Sequence, residues 1–253
     1  MFAEERQQVI LDRAHACGRV DVAALADDFA VSTETIRRDL TILERRGAIR
    51  RVHGGAIPLQ RLGFEPALAM REGVMVAEKI RIAKAAVAEL PEEGSILLDA
   101  GSTTARLAEE LPTDRHLSVV THSVSIALNL SSRENLTIIL VGGRLRSRTL
   151  ATVDAWALRA LEGTFVDVAF IATNGISARR GLTTPDTAEA MIKRAAVGSS
   201  RRCVLLADHT KVGNDYFTRF AELSDIDTFI TDDRVDRETV DEIANAGPRV
   251  VIA

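Results

Sequence analysis

Seven short apolar runs separated by helical patterns constrain the fold of this chain more than any other feature of its sequence. Each run is apolar along most of its length, as are strands that are buried on both faces of a sheet. Alternation of such strands with helices predicts an α/β domain with a mainly parallel sheet. The predicted strands lie at 95–98, 117–121, 136–141, 166–172, 202–207, 227–231 and 249–252, and the predicted helices at 78–90, 103–111, 123–130, 153–162, 186–198 and 236–245.

The first 57 residues predict a separate helical module. Helical patterns cover 3–17, a segment capped by Asp21 and a segment from Ser32 to about residue 46, and a brief turn joins the last two. This is the spacing of a helix–turn–helix. Ser32 suits the start of the third helix because its side-chain oxygen can accept a backbone N–H of the first turn. The side chains expected in the core are Val9, Ile10, Ala14, Ala24, Leu25, Phe29, Ile36, Leu40 and Leu43.

A short hairpin is predicted directly after the third helix. Residues 48–53 and 56–57 are strand-like, and Gly54 and Gly55 lie between them, which is typical of a tight turn. The module is therefore expected to be a winged helix–turn–helix. The wing would hold Arg50, Arg51 and His53 towards a sugar–phosphate backbone.

The outer face of the third helix predicts contact with DNA. Adjacent arginines near the start of a capped helix suit the major groove, because a guanidinium group can donate two hydrogen bonds to a guanine edge. The chain has a net charge of -4, but the window 37–51 contains six arginines against Asp39 and Glu44. The alternative is a solvated face on which Glu34 pairs with Arg38. The predicted DNA-contacting residues are Ser32, Thr33, Glu34, Thr35, Arg37, Arg38, Arg50, Arg51 and His53.

Composition divides the chain into three parts and excludes several classes of protein. We expect a DNA-binding domain at 1–57, a linker rich in proline and glycine at 58–77 with a short helix near 66–71, and a larger domain at 78–253.

The sequence contains no run of about 18 apolar residues, so we expect no membrane span. The first residues do not resemble a secretory leader, so we expect a cytoplasmic protein. Cys17 and Cys203 are expected to be reduced core residues, and no metal-ligand cluster is visible.

Polar and glycine-containing segments follow the predicted strands, at the edge where parallel sheets bind their ligands. Glycine lets backbone approach a ligand, and hydroxyl and N–H groups at a helix start can hold a phosphate. Together with several cations, these segments predict a site for an anionic, polyhydroxylated ligand such as a sugar phosphate. The predicted residues are Asp99, Gly101, Ser102, Thr103, Thr104, Thr121, His122, Ser123, Gly142, Gly143, Arg144, Asn174, Gly175, Lys193, Asp208 and Lys211.

Each of these segments alone also has an ordinary structural explanation. The glycine–hydroxyl loop at 101–104 could be a plain capped turn, and Asp99 could cap its own loop. Lys193 could be a solvated helix residue and Lys211 a surface lysine. The histidines at 122 and 209 either line the site or are loop histidines.

Motifs along nearly the whole chain resemble the DeoR-type bacterial transcription regulators, in which a winged-helix domain precedes a sugar-phosphate-sensing domain. Among these regulators, the resemblance is nearest to those of fructose and sugar-phosphotransferase genes. The matching segments are Ser32-Thr-Glu-Thr-Ile-Arg-Arg-Asp-Leu40, Arg51-Val-His-Gly-Gly-Ala56, Leu98-Asp-Ala-Gly-Ser-Thr-Thr104, Val120-Thr-His-Ser123, Val141-Gly-Gly143, Phe170–Gly175, Gly181-Leu-Thr183 and Ala207-Asp-His-Thr-Lys211.

The resemblance implies a repressor of carbohydrate uptake or catabolism genes that binds double-stranded operator DNA, responds to a phosphorylated sugar and assembles as a homo-oligomer. It implies no cofactor and no catalytic residue. The sensing domain of this family is similar to ribose-phosphate isomerases, which carry carboxylates after the fourth strand. Here that segment is Ala172-Thr-Asn-Gly175, without an acid, so no general base is evident.

Two positions depart from the family pattern. His122 stands where asparagine is common, and a glycine often found ahead of the helix near 153–162 is replaced around Asp154. These changes bear on which sugar phosphate fits. A sugar-phosphate isomerase with a DNA-binding head, and a DNA-binding scaffold without a small-molecule signal, remain the alternatives.

Overall fold

The computed structural model describes residues 3–45, 48–52, 54–58 and 65–253. The chain divides into two compact units, Met1–Val74 and Met75–Ala253. The division lies within the predicted linker, of which 59–64 fall outside the described residues. No described helix has the length and apolar character that crossing a membrane requires.

The first unit contains the predicted helices and hairpin, the short helix predicted near 66–71, and one strand that the sequence did not predict. Its three strands form an antiparallel sheet in the order β1-β3-β2. The two-residue strand β1 was not predicted, and the short helix α4 contacts α1 and belongs to this unit. The elements are α1 (Ala3–Cys17), β1 (Val20–Asp21), α2 (Val22–Phe29), α3 (Thr33–Arg45), β2 (Ile49–Val52), β3 (Gly55–Pro58) and α4 (Leu68–Glu72).

Most of the predicted core of this unit is buried, Val9 and Phe29 are half-buried, and two predicted core residues are exposed. Ala24 is exposed because the inner stripe of α2 passes through Leu25 and Ala26 instead. Cys17 is also exposed, since it is the last residue of α1, so its prediction as a core residue was wrong, whereas Cys203 is buried. Asp21 caps α2 as predicted, accepting the backbone N–H groups of residues 23 and 24 at 2.8 and 3.2 Å.

The second unit alternates strands and helices as the apolar runs predicted. Its helices are α5 (Val76–Ala86), α6 (Ser102–Glu109), α7 (Val124–Leu130), α8 (Asp154–Glu162), α9 (Thr187–Gly198) and α10 (Arg237–Asn245). Its strands are β4 (Gly94–Leu98), β5 (Leu117–Thr121), β6 (Leu136–Leu140), β7 (Arg144–Arg146), β8 (Ala151–Val153), β9 (Val166–Ala172), β10 (Gly175–Ser177), β11 (Gly181–Thr184), β12 (Ser200–Leu206), β13 (Thr218–Ala221), β14 (Thr228–Thr231) and β15 (Arg249–Ile252).

The predicted parallel sheet is confirmed. Seven strands pair in the order β15-β14-β12-β9-β4-β5-β6, and every pair in this sheet is parallel. Its two faces carry separate apolar cores, one with residues of α8, α9 and α10 and the other with residues of α5, α6 and α7. The strand order reverses between β4 and β9. At such a point the loops that follow adjacent strands diverge and leave a crevice for a ligand.

Two small antiparallel sheets were not predicted from the sequence. One is the hairpin β7-β8, and the other has the order β10-β11-β13. Their strands have three or four residues each, too few for the alternation of apolar and polar residues to stand out. Both involve segments that leave the carboxyl edge of the main sheet after β6 and β9.

Candidate functional site

Helix α3 of the first unit begins as the sequence predicts. The hydroxyl oxygen of Ser32 accepts the backbone N–H of Thr35 at 3.2 Å and lies 2.9 Å from the Thr35 hydroxyl. Ile36, Leu40 and Leu43 are buried against the rest of the unit. This packing fixes the rotation of α3 and therefore decides which side chains face outward.

Asp39 ties α3 to α1, a role that sequence reasoning missed. Its carboxylate accepts hydrogen bonds from Arg6 at 2.6 Å and from Gln7 at 2.9 Å, and all three side chains are buried. The charge of Asp39 is thus neutralised inside the unit. It does not reduce the positive charge of the outer face of α3.

The outer face of α3 forms one wall of an open groove. Arg37 and Arg38 are exposed, as is Glu34. Glu34 lies 3.5 Å from Arg37, so the pairing of Glu34 with Arg38 that the sequence left open is absent from the described residues. The groove is lined by Glu34, Arg37, Arg38, Thr41, Ile42, Arg45 and Arg51.

The wing is fixed to α3 by Arg51. Its backbone N–H donates to Glu44 at 2.9 Å, and its guanidinium group donates to the Thr41 hydroxyl at 3.2 Å. That hydroxyl in turn donates to the backbone oxygen of Arg37 at 2.8 Å. Arg50 is exposed on the same strand, while His53 lies outside the described residues. The structure thus brings Arg51 to the groove that Arg37 and Arg38 line.

In the second unit, the residues after β4, β5 and β9 meet around Asp99. The Asp99 carboxylate is completely buried and accepts hydrogen bonds from the backbone N–H of Ala172 at 2.8 Å and from Lys193 Nζ. His122 Nε2 lies 2.8 Å from this carboxylate and 3.1 Å from the backbone nitrogen of Ala100. Lys193 Nζ also donates to the backbone oxygen of Ala172 at 2.9 Å. His122 Nδ1 lies 3.2 Å from the backbone oxygen of Thr152.

These contacts set the charge of Asp99. Burial alone would raise its pKa, but the positive charge of Lys193 and the hydrogen bond with His122 outweigh burial and lower the pKa to about 2. Asp99 is therefore ionised at neutral pH. Lys193 is 2% exposed, so its alternative interpretation as a solvated helix residue is wrong.

The loop that follows Asp99 leaves hydrogen-bonding groups available. Gly101 starts α6 without a side-chain cap, and a Cβ there would lie 2.9 Å from the side chain of Ala172. Thr104 donates to the backbone oxygens of Asp99 and Gly101 at 2.6 and 3.0 Å. The hydroxyls of Ser102 and Thr103 have no hydrogen-bond partner among the described residues, although both residues are buried. Together with the first N–H groups of α6, they can bind an anion.

Thr121 and Ser123 have structural partners. The Thr121 hydroxyl donates to the backbone oxygen of Leu98 at 2.7 Å and accepts the backbone N–H of Ser123 at 3.1 Å. Ser123 caps α7 by accepting the backbone N–H of Ile126 at 3.3 Å. Both residues hold the loops after β4 and β5 in place.

The segment after β6 runs into the hairpin β7-β8. Gly142 is exposed, and Gly143 has a φ of +158°, where a Cβ would lie 2.7 Å from the backbone oxygen of Val153. Arg144 forms an exposed ion pair with Asp154. Asp154 has a φ of +76°, which explains why a glycine suits this position and shows that an aspartate can adopt it. None of these residues contacts the Asp99 carboxylate among the described residues.

The segments after β9 and β12 each form a compact turn. Asn174 Oδ1 accepts the hydroxyl of Thr184 at 2.9 Å, and a Cβ at Gly175 would overlap the backbone of Asn214. Asp208 is buried and accepts the backbone N–H of Thr210 at 3.0 Å. Burial would raise the pKa of Asp208, but nearby Lys211 and the bonds from Thr210 outweigh it and lower the pKa. Lys211 is half-buried.

Sequence reasoning missed several charged residues at this edge. Asp232, which follows β14, is fully buried and accepts the backbone N–H of His209 at 2.7 Å and His209 Nδ1 at 2.9 Å. Lys79 on α5 is buried and its charge helps to lower the pKa of Asp208. Asp232 could have been found, because it follows an apolar run as Asp99 and Asp208 do. Lys79 could not, since its helix shows no such signal.

Helix α9 presents a second buried charge to this edge. Glu189 lies one helical turn before Lys193, is buried, and accepts hydrogen bonds from Arg146 at 3.0 Å and from the Thr149 hydroxyl. Arg146 also lies 3.1 Å from Asp186. Thus α9 holds the loop after β4 through Lys193 and the hairpin region through Glu189.

Several kinds of polar group meet at this edge. It offers hydroxyls, backbone N–H groups, two buried lysines and carboxylates that already accept hydrogen bonds. Across 3–45, 48–52, 54–58 and 65–253, no group of three His, Cys, Asp or Glu residues is placed to hold a metal ion.

Two family models match the chain, one in each part. Residues 6–61 match the DeoR-like helix-turn-helix domain, and residues 74–233 match the DeoR C terminal sensor domain. The two matches together extend from the first helix to the loop after β14.

Relatives match along almost the whole chain. The HTH-type transcriptional regulator GlpR of Haloferax volcanii is 39% identical over 99% of this chain and 98% of its own length. The glycerol-3-phosphate regulon repressor of Escherichia coli is 31% identical over 92% of each chain. Among solved structures, ribose 5-phosphate isomerase A of Methanocaldococcus jannaschii aligns over 53% of each chain with 18% identity and a TM-score of 0.40.

Proposed function

The chain belongs to the DeoR family of helix-turn-helix transcriptional regulators, and from that premise we propose that it represses carbohydrate uptake or catabolism genes under the control of a phosphorylated sugar. The observation that carries the proposal is the pairing of two surfaces in one chain. The first unit has an exposed arginine groove. In the second, the hydroxyls of Ser102 and Thr103 have no hydrogen-bond partner within the described part of the chain, and the buried Lys193 contacts the loops at the same edge of the sheet.

In the proposed mechanism, α3 enters the major groove of operator DNA. Arg37 and Arg38 would contact base edges, and Arg50 and Arg51 would contact phosphates from the wing. The hydrogen bonds of Arg51 to Glu44 and Thr41 support this arrangement, because they fix the wing relative to α3. Ser32, Thr33, Glu34, Thr35 and His53 complete the proposed contact surface.

The proposed effector site begins at the amino end of α6. Ser102, Thr103 and the first N–H groups of the helix would hold the phosphate. Lys193 has three N–H donors and uses two of them on Asp99 and Ala172, so its third donor and its charge would favour an anion. Asp208, Asn174 and Lys211 are proposed to contact ligand hydroxyls or phosphate from neighbouring loops.

The other predicted effector-binding residues are proposed to shape this site rather than to supply its strongest contacts. Most of their polar groups already bind each other, which keeps the loops in place. These residues are Asp99, Gly101, Thr104, Thr121, His122, Ser123, Gly142, Gly143, Arg144 and Gly175.

Relatives support both the repressor role and the class of effector. One is named for the glycerol-3-phosphate regulon and another is named as the transcriptional repressor GlcR of Bacillus subtilis. Under the proposal, the effector binds one conformation of this chain better than another and changes operator affinity by that difference. The chain would act as a homo-oligomer, since a single small head makes few contacts and paired half-sites are expected.

The alternative of an active isomerase has less support. A general base works best with a pKa near the operating pH, whereas the pKa of Asp99 is lowered to about 2. Asp208 has a lowered pKa as well, and the segment 172–175 contains no acid. Turnover of a pentose or hexose phosphate by the purified protein would reverse this judgement.

A gel-shift titration on DNA upstream of the gene, repeated with a panel of phosphorylated sugars, tests the proposed function. We expect one member of the panel to change the operator affinity of the wild type at least several-fold. The double variant Ser102→Ala/Thr103→Ala should keep DNA binding and lose that response. Ser131→Ala, an exposed hydroxyl at the far end of α7, is the matched control and should respond normally. Equal responses in all three proteins would rule out the proposed phosphate site.

A further inference from the structure

One edge of the main sheet is apolar and unprotected. Strand β6 is the last strand on its side, and Ile139 and Leu140 within it are 49% and 47% exposed. The strand Leu136–Leu140 contains no charged residue. Monomeric proteins usually protect such edges with charges, prolines or bulges, because an open strand offers a row of hydrogen-bonding groups to another strand.

The opposite edge of the same sheet shows such protection. Strand β15 follows Pro248 and begins with Arg249, whose guanidinium group forms an ion pair with Glu89. The backbone oxygen of Ala253, just after this strand, accepts a hydrogen bond from Arg81 at 3.1 Å. The two edges of one sheet therefore differ, and β6 is the edge open to another strand.

The backbone of β6 determines which groups face outward. The N–H of Val141 donates to the backbone oxygen of Thr121 at 2.9 Å, so this residue faces β5. Because backbone direction alternates along a strand, Ile139 also faces β5, and the N–H and C=O groups of Ile138 and Leu140 point outward. The N–H of Leu136 is bonded to the backbone oxygen of Arg133 at 3.1 Å.

We propose that β6 pairs antiparallel with β6 of a second copy of this chain, about a two-fold axis at Ile138. Such pairing would form about four main-chain hydrogen bonds between the outward groups. It would place Leu140 opposite Leu136 of the partner subunit and join the two sheets. The inference deepens the proposed function, because the pairing would link two DNA-binding units in one dimer. It rests on the proposed function only for the DNA-binding role of these units, since the pairing itself is argued from the geometry of β6.

Helix α7 enlarges the proposed interface. A stable interface typically buries about 1,600 Å² in total, more than a strand of this length provides. Helix α7 packs on β5 and β6, and its Leu128 is 74% exposed. Neither α7 nor β6 contains a charged residue. At a two-fold axis a patch meets itself, so an uncharged apolar patch suits a second copy, whereas a charged one would repel its own image.

The molar mass of the full chain in solution, measured by sedimentation equilibrium, tests the proposal. We expect the wild type to be a dimer or a multiple of one, and Leu140→Lys to halve its mass. Ile252→Lys places the same charge on the opposite edge, at a residue that is 48% exposed, and should leave the mass unchanged. A monomeric wild type, or a Leu140→Lys variant of unchanged mass, would overturn the proposal.

Two further measurements guard against a misfolded variant. Ile138→Pro removes an outward N–H but no bond to β5, so this variant should also halve the mass while keeping the circular dichroism spectrum of the wild type. Hydrogen exchange needs no mutation: in the wild type the outward-facing amides of Ile138 and Leu140 should exchange slowly, and fast exchange of both would contradict the proposed pairing. A mass that halves supports this interface even if no operator is bound, so failure of the proposed function is a separate outcome.

Discussion

Arg37 lies on the exposed face of α3, and its contact with Glu34 does little to restrain it. The two side chains are 55% and 82% exposed and 3.5 Å apart, and exposed pairs of this kind contribute little free energy. Arg37 can therefore leave Glu34 for a base edge. The carboxylate of Glu34 can accept a hydrogen bond from a cytosine, whereas Arg37 can donate to a guanine. The two side chains therefore fit more than one base sequence.

Replacing Arg37 with alanine is expected to weaken specific operator binding by about 1–3 kcal/mol, because a guanidinium contact with a base is lost. Fluorescence anisotropy with labelled operator would measure the change. Arg159→Ala removes an exposed arginine from α8 in the second unit and should leave the affinity unchanged. If Arg37→Ala binds as tightly as Arg159→Ala, Arg37 takes no part in base recognition.

Loss of Lys193 should destabilise the second unit strongly, because this buried lysine is paired with the buried Asp99. The Lys193→Met variant would leave the buried Asp99 carboxylate without its cation, and removing one member of a buried ion pair costs about 3–5 kcal/mol. Urea unfolding followed by circular dichroism would measure this loss. Lys84→Met changes an exposed lysine on α5 and should cost much less.

The same ion pair predicts how stability depends on pH. The pKa of Asp99 is lowered from 3.8 to about 2 in the folded protein, so its ionised form stabilises the fold. That contribution, roughly 2 kcal/mol, is complete above about pH 4 and is lost as the pH falls through 2. In Lys193→Met the pKa of Asp99 should rise towards its ordinary value. Its unfolding free energy should then fall less steeply between pH 4 and 2, and parallel curves for the two proteins would contradict this account.

At the scale of elements, the wing depends on the close approach of β3 to β1. A Cβ at Gly55 would overlap the backbone carbonyl of Val20, whereas Gly54 adopts a φ of +76° in the turn itself. Position 55 therefore needs glycine because of crowding, and position 54 because of backbone conformation. These are two separate reasons for one pair of adjacent glycines.

Gly55→Ala is expected to separate β1 from β3 and to destabilise the first unit by about 1–3 kcal/mol, as overpacking against fixed neighbours does. Differential scanning calorimetry would show the lowered transition. In Gly163→Ala the added Cβ has no heavy atom within 4 Å and the backbone is not strained, so it serves as the control. Equal unfolding temperatures for both variants would show that β1 can move away without cost.

Helix α9 is the element that connects the candidate effector site to its surroundings. Its buried Glu189 and Lys193 lie on one face, and their partners come from different segments of the chain. A ligand that draws Lys193 towards its phosphate would weaken the contact with Asp99. Because Asp99 also binds His122, and His122 lies against Thr152 of β8, the hairpin β7-β8 would sense the same change.

At the scale of the whole molecule, two units must exchange a signal if the proposed function holds. If the effector changes the affinity of the protein for operator DNA by some factor, thermodynamic linkage requires the reciprocal effect. Bound operator DNA then changes the affinity of the protein for the effector by the same factor. Operator DNA and effector thus shift the same conformational equilibrium of the protein, and this holds for any structural connection between their sites.

Isothermal titration of the effector in the absence and presence of operator DNA is expected to give dissociation constants that differ by that factor. The effector should also stabilise the free protein, by about 2.7 kcal/mol when its concentration is 100 times its dissociation constant. A sugar phosphate that stabilises the protein but leaves operator affinity unchanged would be a ligand without a regulatory role.

The sequence by itself determined the parts that depend on local pattern. The apolar runs identified all seven strands of the parallel sheet, since a strand buried on both faces is apolar along its length. Ser32 and Asp21 marked helix starts because their side chains bond to the adjacent turn. The family motifs indicated both the DNA-binding head and the sensing domain, and the family models match the same regions.

Only the tertiary structure decided which polar residues bind one another. Asp99, His122 and Lys193 are far apart in the chain, and the order of the strands brings them into contact. The sequence counted Asp39 only as an acid of the window 37–51, and its bonds to α1 show that it lies inside the unit. The short antiparallel strands β7, β8, β10, β11 and β13 were missed for a different reason, since three or four residues are too few for an alternating pattern to stand out.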